Sequence, residues 1–152
     1  MKPTKINIAI ADDNQIVIDG IKSLLYAHPV FQVILECTKP ELMPGLLVDE
    51  KIDVLLTDIM MPVMNGAELA KIVKVKFPHI KILALSMSGQ GDLVNKMIED
   101  RDICGYVLKN IGQQELLSAI EKISAGGVSF SKEVLDEMIR AGAERENIEE
   151  DC

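Results

Sequence analysis

Two hydrophobic rhythms alternate along the chain: short unbroken apolar runs, and apolar residues spaced three to four apart. Residues 6–11 (INIAIA) form the first run, and Val17, Ile21, Leu24 and Leu25 then fall on one helical face. Residues 31–37 (FQVILEC) predict a second strand. Residues 39–51 make a poor helix, because Pro44 and Gly45 interrupt it, so a short or kinked element is expected. A third strand is predicted over 53–58 (DVLLTD). Asn65 and Glu68 have capping-box spacing ahead of Leu69, Ile72 and Val73, and that helix must stop before Pro78. Residues 80–87 predict a fourth strand, Leu93, Val94, Met97 and Ile98 a fourth helix, and residues 105–109 a fifth strand. Leu116, Leu117, Ile120 and Ile123 mark a fifth helix that ends at Gly126–Gly127. Five strands alternating with five helices predict an α/β fold, a doubly wound parallel sheet with helices on both faces. The unbroken apolar strands agree, since a strand covered on both sides loses its in-out alternation.

After Gly127 the pattern changes. Val134, Leu135, Met138 and Ile139 group on one side of residues 131–139, and a charged stretch, AGAERENIEEDC, follows. The expected division is therefore a domain over 1–128, with an amphipathic extra helix and acidic linker or tail over 129–152. Charge sharpens this division. The chain carries −8 overall, but residues 131–152 hold eight acidic and three basic residues, a net −5. No basic stripe is left to grip a phosphate backbone, and three Phe, two Tyr and no Trp give no stacking platform. Contact with DNA is expected only through a domain outside this chain. At 152 residues the chain can bury a real core. No apolar run approaches the roughly 18–20 residues of a membrane span, and the N-terminus lacks signal-peptide architecture. Cys37, Cys104 and Cys152 are far apart, with no Cys-x-x-Cys pair and no neighbouring histidine. Zinc is not expected; buried, inert thiols at Cys37 and Cys104 and a reduced, cytoplasmic compartment are.

Ligands of an open parallel sheet bind outside the carboxyl ends of its strands. The first strand ends in Asp12–Asp13, the third in Asp58, the fourth in Ser86 and the fifth in Lys109. Singly, each has an ordinary explanation as a cap, a turn residue or a surface charge. Together they do not. Three carboxylates on one rim repel each other unless a cation sits among them, and an all-oxygen pocket suits Mg²⁺. A lysine and a hydroxyl facing that cation suit phosphoryl oxygens, and Asp58 becomes a candidate nucleophile. Pro62 and the Asn65–Gly66 pair turn the chain away after Asp58, which leaves its carboxylate exposed above a rigid strand.

These residues resemble the receiver domain of two-component response regulators. The resemblance covers about residues 5–127: the acidic pair, Asp58 followed by MMPVMNG, Ser86, and Lys109 with Tyr106 three residues before it. The stretch GYVLKN…ELLSAIEKISAGG is similar to the branch usually joined to a C-terminal helix-turn-helix domain. The resemblance implies a flavodoxin-like sheet of order 2-1-3-4-5. It implies Mg²⁺ held by Asp13, Asp58 and the main-chain carbonyl of Met60, with help from Asp12. It makes Asp58 the acceptor of a phosphoryl group from a sensor histidine kinase, Ser86 and Lys109 the groups drawn to that phosphoryl, and Ser86 and Tyr106 the switch. Met60 and Ser88 stand where the family modulates hydrolysis. A homodimer on phosphorylation is a further expectation, and a stand-alone receiver acting through protein contacts is the alternative to a transcription regulator.

Other functions fit less well. A phosphoaspartate hydrolase needs a second acid two residues past its nucleophile, where Met60 stands. A nucleotide-binding fold needs a Gly-rich loop after the first strand, and none is there. The chain departs from its branch at Asp102–Ile103, where Gly-Ala is usual, at Asn110, where proline is common, and at Asn14, where histidine is frequent.

Overall fold

The computed structural model describes residues 5–86 and 96–130. Strand β1 (Ile6–Ala11) is followed by helix α1 (Gln15–Leu25), β2 (Phe31–Cys37), a 3-10 turn (Pro40–Leu42) and a one-turn α2 (Met43–Leu47). Next come β3 (Val54–Asp58), α3 (Gly66–Lys76) and β4 (Lys81–Ser86). Residues 96–99 are helical (α4), and β5 (Gly105–Leu108), α5 (Gln113–Ser124) and β6 (Ser129–Phe130) complete the order.

All neighbouring strands are parallel, in the order β2-β1-β3-β4-β5-β6. The expected order 2-1-3-4-5 is thus present, with one short strand added. Gly126, at φ +98, reverses the chain after α5, and Ser129 N–H then donates to the Cys104 carbonyl (3.0 Å) beside β5. Two residues are too few to show a period, which is why the sequence did not announce β6.

Helix starts follow local chemistry. The Asn14 side chain caps α1 by accepting from Ile16 N–H (3.0 Å). Asn65 and Glu68 form the expected reciprocal capping box at α3, at 2.8 and 2.9 Å. The Pro-Gly interruption splits the second helical segment into a 3-10 turn and a stub, as expected.

The sheet separates two apolar clusters. Met43, Leu47, Leu69, Val73, Met97, Ile98 and Tyr106 lie on one face, and Ile18, Ile21, Leu25, Leu117, Ile120 and Ile123 on the other. Strands β3 and β4 are buried on both faces, which explains their lack of alternation. Cys37, expected inside, is partly exposed, and Cys104 is buried but disulfide-bonded rather than a free thiol. Among the described residues no helix is long and apolar enough to cross a membrane. Leu93, Val94, Ser88 and the amphipathic piece at 131–139 lie outside the described residues.

Candidate functional site

Parallel register brings the predicted rim residues to one edge. Asp12 and Asp13 follow the last residue of β1, Asp58 ends β3, Ser86 ends β4, and Lys109 comes one residue after β5. Two main-chain bonds lock the ends together: Ile59 N–H to the Leu85 carbonyl (3.1 Å) and Lys109 N–H to the Ser86 carbonyl (2.8 Å). The rim is therefore as rigid as the sheet beneath it.

The Lys109 ammonium lies 2.9 Å from Asp12 Oδ2 and 3.2 Å from Asp58 Oδ1. Carboxylate oxygens of Asp12, Asp13 and Asp58 all lie within 4.8 Å of one another. Asp12 is fully buried and Asp58 is 4% exposed, whereas Asp13 faces solvent. The second Asp12 oxygen, Oδ1, accepts from Asn14 N–H (2.9 Å). Oδ2 has no directed hydrogen bond, although the lysine charge stands close to it. At 2.9 Å the ammonium pairs that buried oxygen electrostatically.

Burial pushes the Asp58 carboxyl above its ordinary value of 3.8, and the neighbouring Asp12 charge adds to the rise; Lys109 opposes both. Burial also works against the Lys109 charge, but Asp12 and Asp58 outweigh it and hold the ammonium above its usual value. One lysine among three carboxylates leaves net negative charge facing solvent at Asp13. That donor set of oxygens fits a hard divalent cation that keeps several waters.

The loop after Asp58 is tightly built. Met60 is 55% exposed, so its side chain lies outside the core. Val63 has φ +70, a costly conformation for a β-branched residue. Gly66 N–H closes the loop on the Ile59 carbonyl (2.7 Å). A Cβ on Gly66 would stand 2.2 Å from the Asp58 carbonyl oxygen and 2.8 Å from Ile59 Cα. The Asn-Gly pair reads in sequence as a turn; its glycine is in fact the seat on which the Asp58 main chain rests. Thr57, also unflagged by sequence, donates its hydroxyl to that same Asp58 carbonyl (3.0 Å).

Ser86 is fully buried and Tyr106 nearly so, the latter beside Ala84 in the β4–β5 ladder and in the cluster with Met97, Ile98 and Ile103. No peptide bond among the described residues is cis, including the one at Asn110.

This fold and site define a receiver domain, and the chain belongs to the response regulator receiver domain family, whose pattern it matches over residues 8–121. It is 30% identical over 136 residues to the transcriptional regulatory protein DegU of Brevibacillus brevis, which covers 90% of this chain and 57% of that protein. It is 29% identical to the transcriptional regulatory protein LnrK of Bacillus subtilis, over 88% of this chain and 60% of the relative. The chain thus spans under two thirds of the length of these regulators. The isolated receiver domain of RcsB from Salmonella enterica, solved with a phosphomimetic beryllium fluoride, superposes with a TM-score of 0.78 at 29% identity, covering 88% of this chain and 98% of that one.

Proposed function

We propose that the chain is a phosphorylation switch in which Asp58 accepts a phosphoryl group from the phosphohistidine of a sensor kinase. The observation that carries this is the buried Asp58 carboxylate 3.2 Å from Lys109 and beside Asp12 and Asp13 at one sheet edge. An Asp58 oxygen attacks phosphorus as the P–N bond breaks, and the imidazole leaves with the electron pair. Burial that raises the Asp58 carboxyl also leaves its anion poorly solvated, and so more nucleophilic. Lys109 is held charged at the place where phosphoryl oxygens would gather, and Ser86 ends the neighbouring strand on the same side. Asp13, Asp58 and the Met60 carbonyl would hold Mg²⁺, with Asp12 assisting; the bound ion would neutralise charge between carboxylates and phosphoryl oxygens. Ser86 and Tyr106 form the relay to an output surface at α4 and β5. The receiver unit is 1–128, with Ser129–Phe130 extending its sheet, and the acidic stretch that follows is a linker or tail. The output is transcriptional, as in the relatives, through a DNA-binding domain outside this chain and dimerisation on phosphorylation. The kinase's phosphohistidine meets it in the cytoplasm.

The test is incubation with acetyl phosphate. One phosphoryl group should be added when Mg²⁺ is present and none when it is chelated; Mg²⁺-independent labelling would refute the reading.

Two predictions belong here. Mg²⁺ should raise Tm by linkage, by about 1.4 kcal/mol of stability at tenfold excess over its Kd, and Asp13→Asn should weaken that shift by removing a ligand charge. Thermal melts across a Mg²⁺ titration decide it. Met60, long, apolar and exposed, should shield the phosphoryl from in-line water. Met60→Asn should speed loss of the phosphoryl group by up to roughly tenfold, equivalent to about 1.4 kcal/mol of barrier. Decay after donor removal measures it, and equal rates would show that residue 60 does not gate water.

A further inference from the structure

Tyr106 has a strand on either side. Ala84 of β4 stands opposite it in one ladder and Phe130 of β6 in the other. Residues paired across a parallel ladder turn to the same face, and neighbouring strands lie about 4.8 Å apart. Ala84, Tyr106 and Phe130 therefore form one row. Ala84 and Tyr106 belong to the apolar cluster on the face that carries α3, and Phe130 packs against that cluster. The row is uneven. Ala84 presents only a methyl, on the side where Ser86 lies two residues further along the same face of β4. Phe130 presents an aromatic ring on the outer side, where β6 is the last strand of the sheet. Without those two residues β5 would be the edge strand, yet Tyr106 is only 3% exposed.

Local features fit β6 to this place. A Cβ on Gly105 would stand 2.6 Å from the Ser129 carbonyl oxygen, so β6 closes on β5 only beside a glycine. Gly126, at φ +98, turns the chain back, and Ser129 N–H is held by the Cys104 carbonyl at 3.0 Å. A segment that merely left the domain after α5 would need neither the space at Gly105 nor an aromatic side chain at 130. At two residues β6 is also the shortest strand of the sheet, so it can open without unfolding the rest.

We propose that β6 is a clamp on Tyr106: Phe130 closes the outer side of the row and holds the tyrosine buried. The consequence for signalling rests on the reading of Ser86 and Tyr106 as the relay from Asp58. Under that reading the buried tyrosine goes with a phosphoryl group at Asp58, and coupling between two places is reciprocal. Closing β6 favours phosphoryl binding, and phosphoryl binding closes β6. The chain beyond Phe130 is thereby coupled to Asp58 without touching it.

The test uses the full chain, which has two tyrosines and no tryptophan. Tyr26 is 86% exposed, so Tyr26→Phe leaves Tyr106 as the sole tyrosine emitter at little structural cost. In that parent, acrylamide should quench the emission weakly. Phe130→Ala should raise quenching several-fold. Ser129→Pro, which removes the donor to Cys104 and keeps the ring at 130, should do the same. Phe77→Ala trims the same cluster at the end of α3 and should leave quenching unchanged. All variants are compared well below their melting midpoints and without reductant, because Cys104 is disulfide-bonded. Unchanged quenching in both β6 variants, or an equal rise in Phe77→Ala, would overturn the clamp. Coupling is read with Mg²⁺ and beryllium fluoride, a phosphoryl mimic, by its effect on Tm. Phe130→Ala should need several-fold more beryllium fluoride for half saturation. Raised quenching with unchanged beryllium fluoride affinity would overturn the coupling and remove Tyr106 from the relay, leaving the clamp in place. Failure of the parent itself to bind the mimic would instead count against Asp58 as acceptor, and quenching would still decide the clamp.

Discussion

Asp58→Asn should abolish phosphorylation and, in metal-free buffer, make the protein more stable. Both effects come from one cause. The Asp58 carboxylate is buried beside Asp12, and that burial raises its pKa above 3.8, so its charge is a cost to the folded state. Above its folded pKa, Asp58 is ionised in the native and unfolded chains alike, and the native state bears the full cost. As pH falls through that value, the native state takes up the proton first and the cost is relieved. The stability gained by Asp58→Asn should therefore be complete at neutral pH, shrink as pH falls through the folded pKa, and vanish below 3.8. At this chain length each kcal/mol appears as roughly 4 °C of Tm. Saturating Mg²⁺ should narrow the gap, because the wild type gains a ligand that the variant binds poorly. Melting curves of both proteins across pH, with and without Mg²⁺, test this. A variant less stable than wild type at pH 7 would mean that the Lys109 ion pair outweighs burial; persistent labelling would remove Asp58 as acceptor.

Gly66→Ala should be the most damaging small substitution in the site. Helix propensity alone favours alanine there by up to about 1 kcal/mol, since Gly66 opens α3. Sterics decide otherwise. The new methyl would meet the Asp58 carbonyl oxygen at 2.2 Å and Ile59 Cα at 2.8 Å, both backbone atoms at the end of a buried strand. Neither can swing aside as a side-chain tip would. Overpacking of this kind costs about 1–3 kcal/mol or more, so a net loss of roughly 2 kcal/mol is expected. Phosphorylation should slow as well, because the strain is relieved by moving Asp58. Gly20→Ala is the control. Gly20 lies inside α1 with nothing within 4 Å of a built Cβ, so alanine there should stabilise by roughly 0.5–1 kcal/mol. Denaturant midpoints of the two variants should move in opposite directions.

Much of the molecule was legible without coordinates. β1 and β2 were read with their observed limits, and β3, β4 and β5 to within one residue at each end. The slips are informative. Asp53 reads as strand but lies one residue before β3; its side chain accepts from Asn7 N–H (2.8 Å), while its main chain still bonds to Asn7 and Lys81. Val17 and Leu24 share the core face of α1 with Ile21 and Leu25 but are only partly buried, and Ile18, outside the predicted stripe, is fully inside. Periodicity gives the direction of a helix face to within about one position, and packing against α5 and the sheet sets the rest.

By itself the sequence determined which segments are strands, because an apolar run shows a period and buried strands must be apolar. It also determined which residues bear charge at the strand ends. Tertiary structure decided what those charges do. Only parallel pairing in register sets Asp12, Asp58, Ser86 and Lys109 on one edge. Only burial there turns an ordinary aspartate into one with a raised pKa. The seat under Asp58 at Gly66, the pairing of Asp102 with Lys71, and the added strand at Ser129–Phe130 were equally invisible beforehand. Each depends on a contact between residues distant in sequence or on the space left by main-chain atoms, and a pattern of residue types records neither.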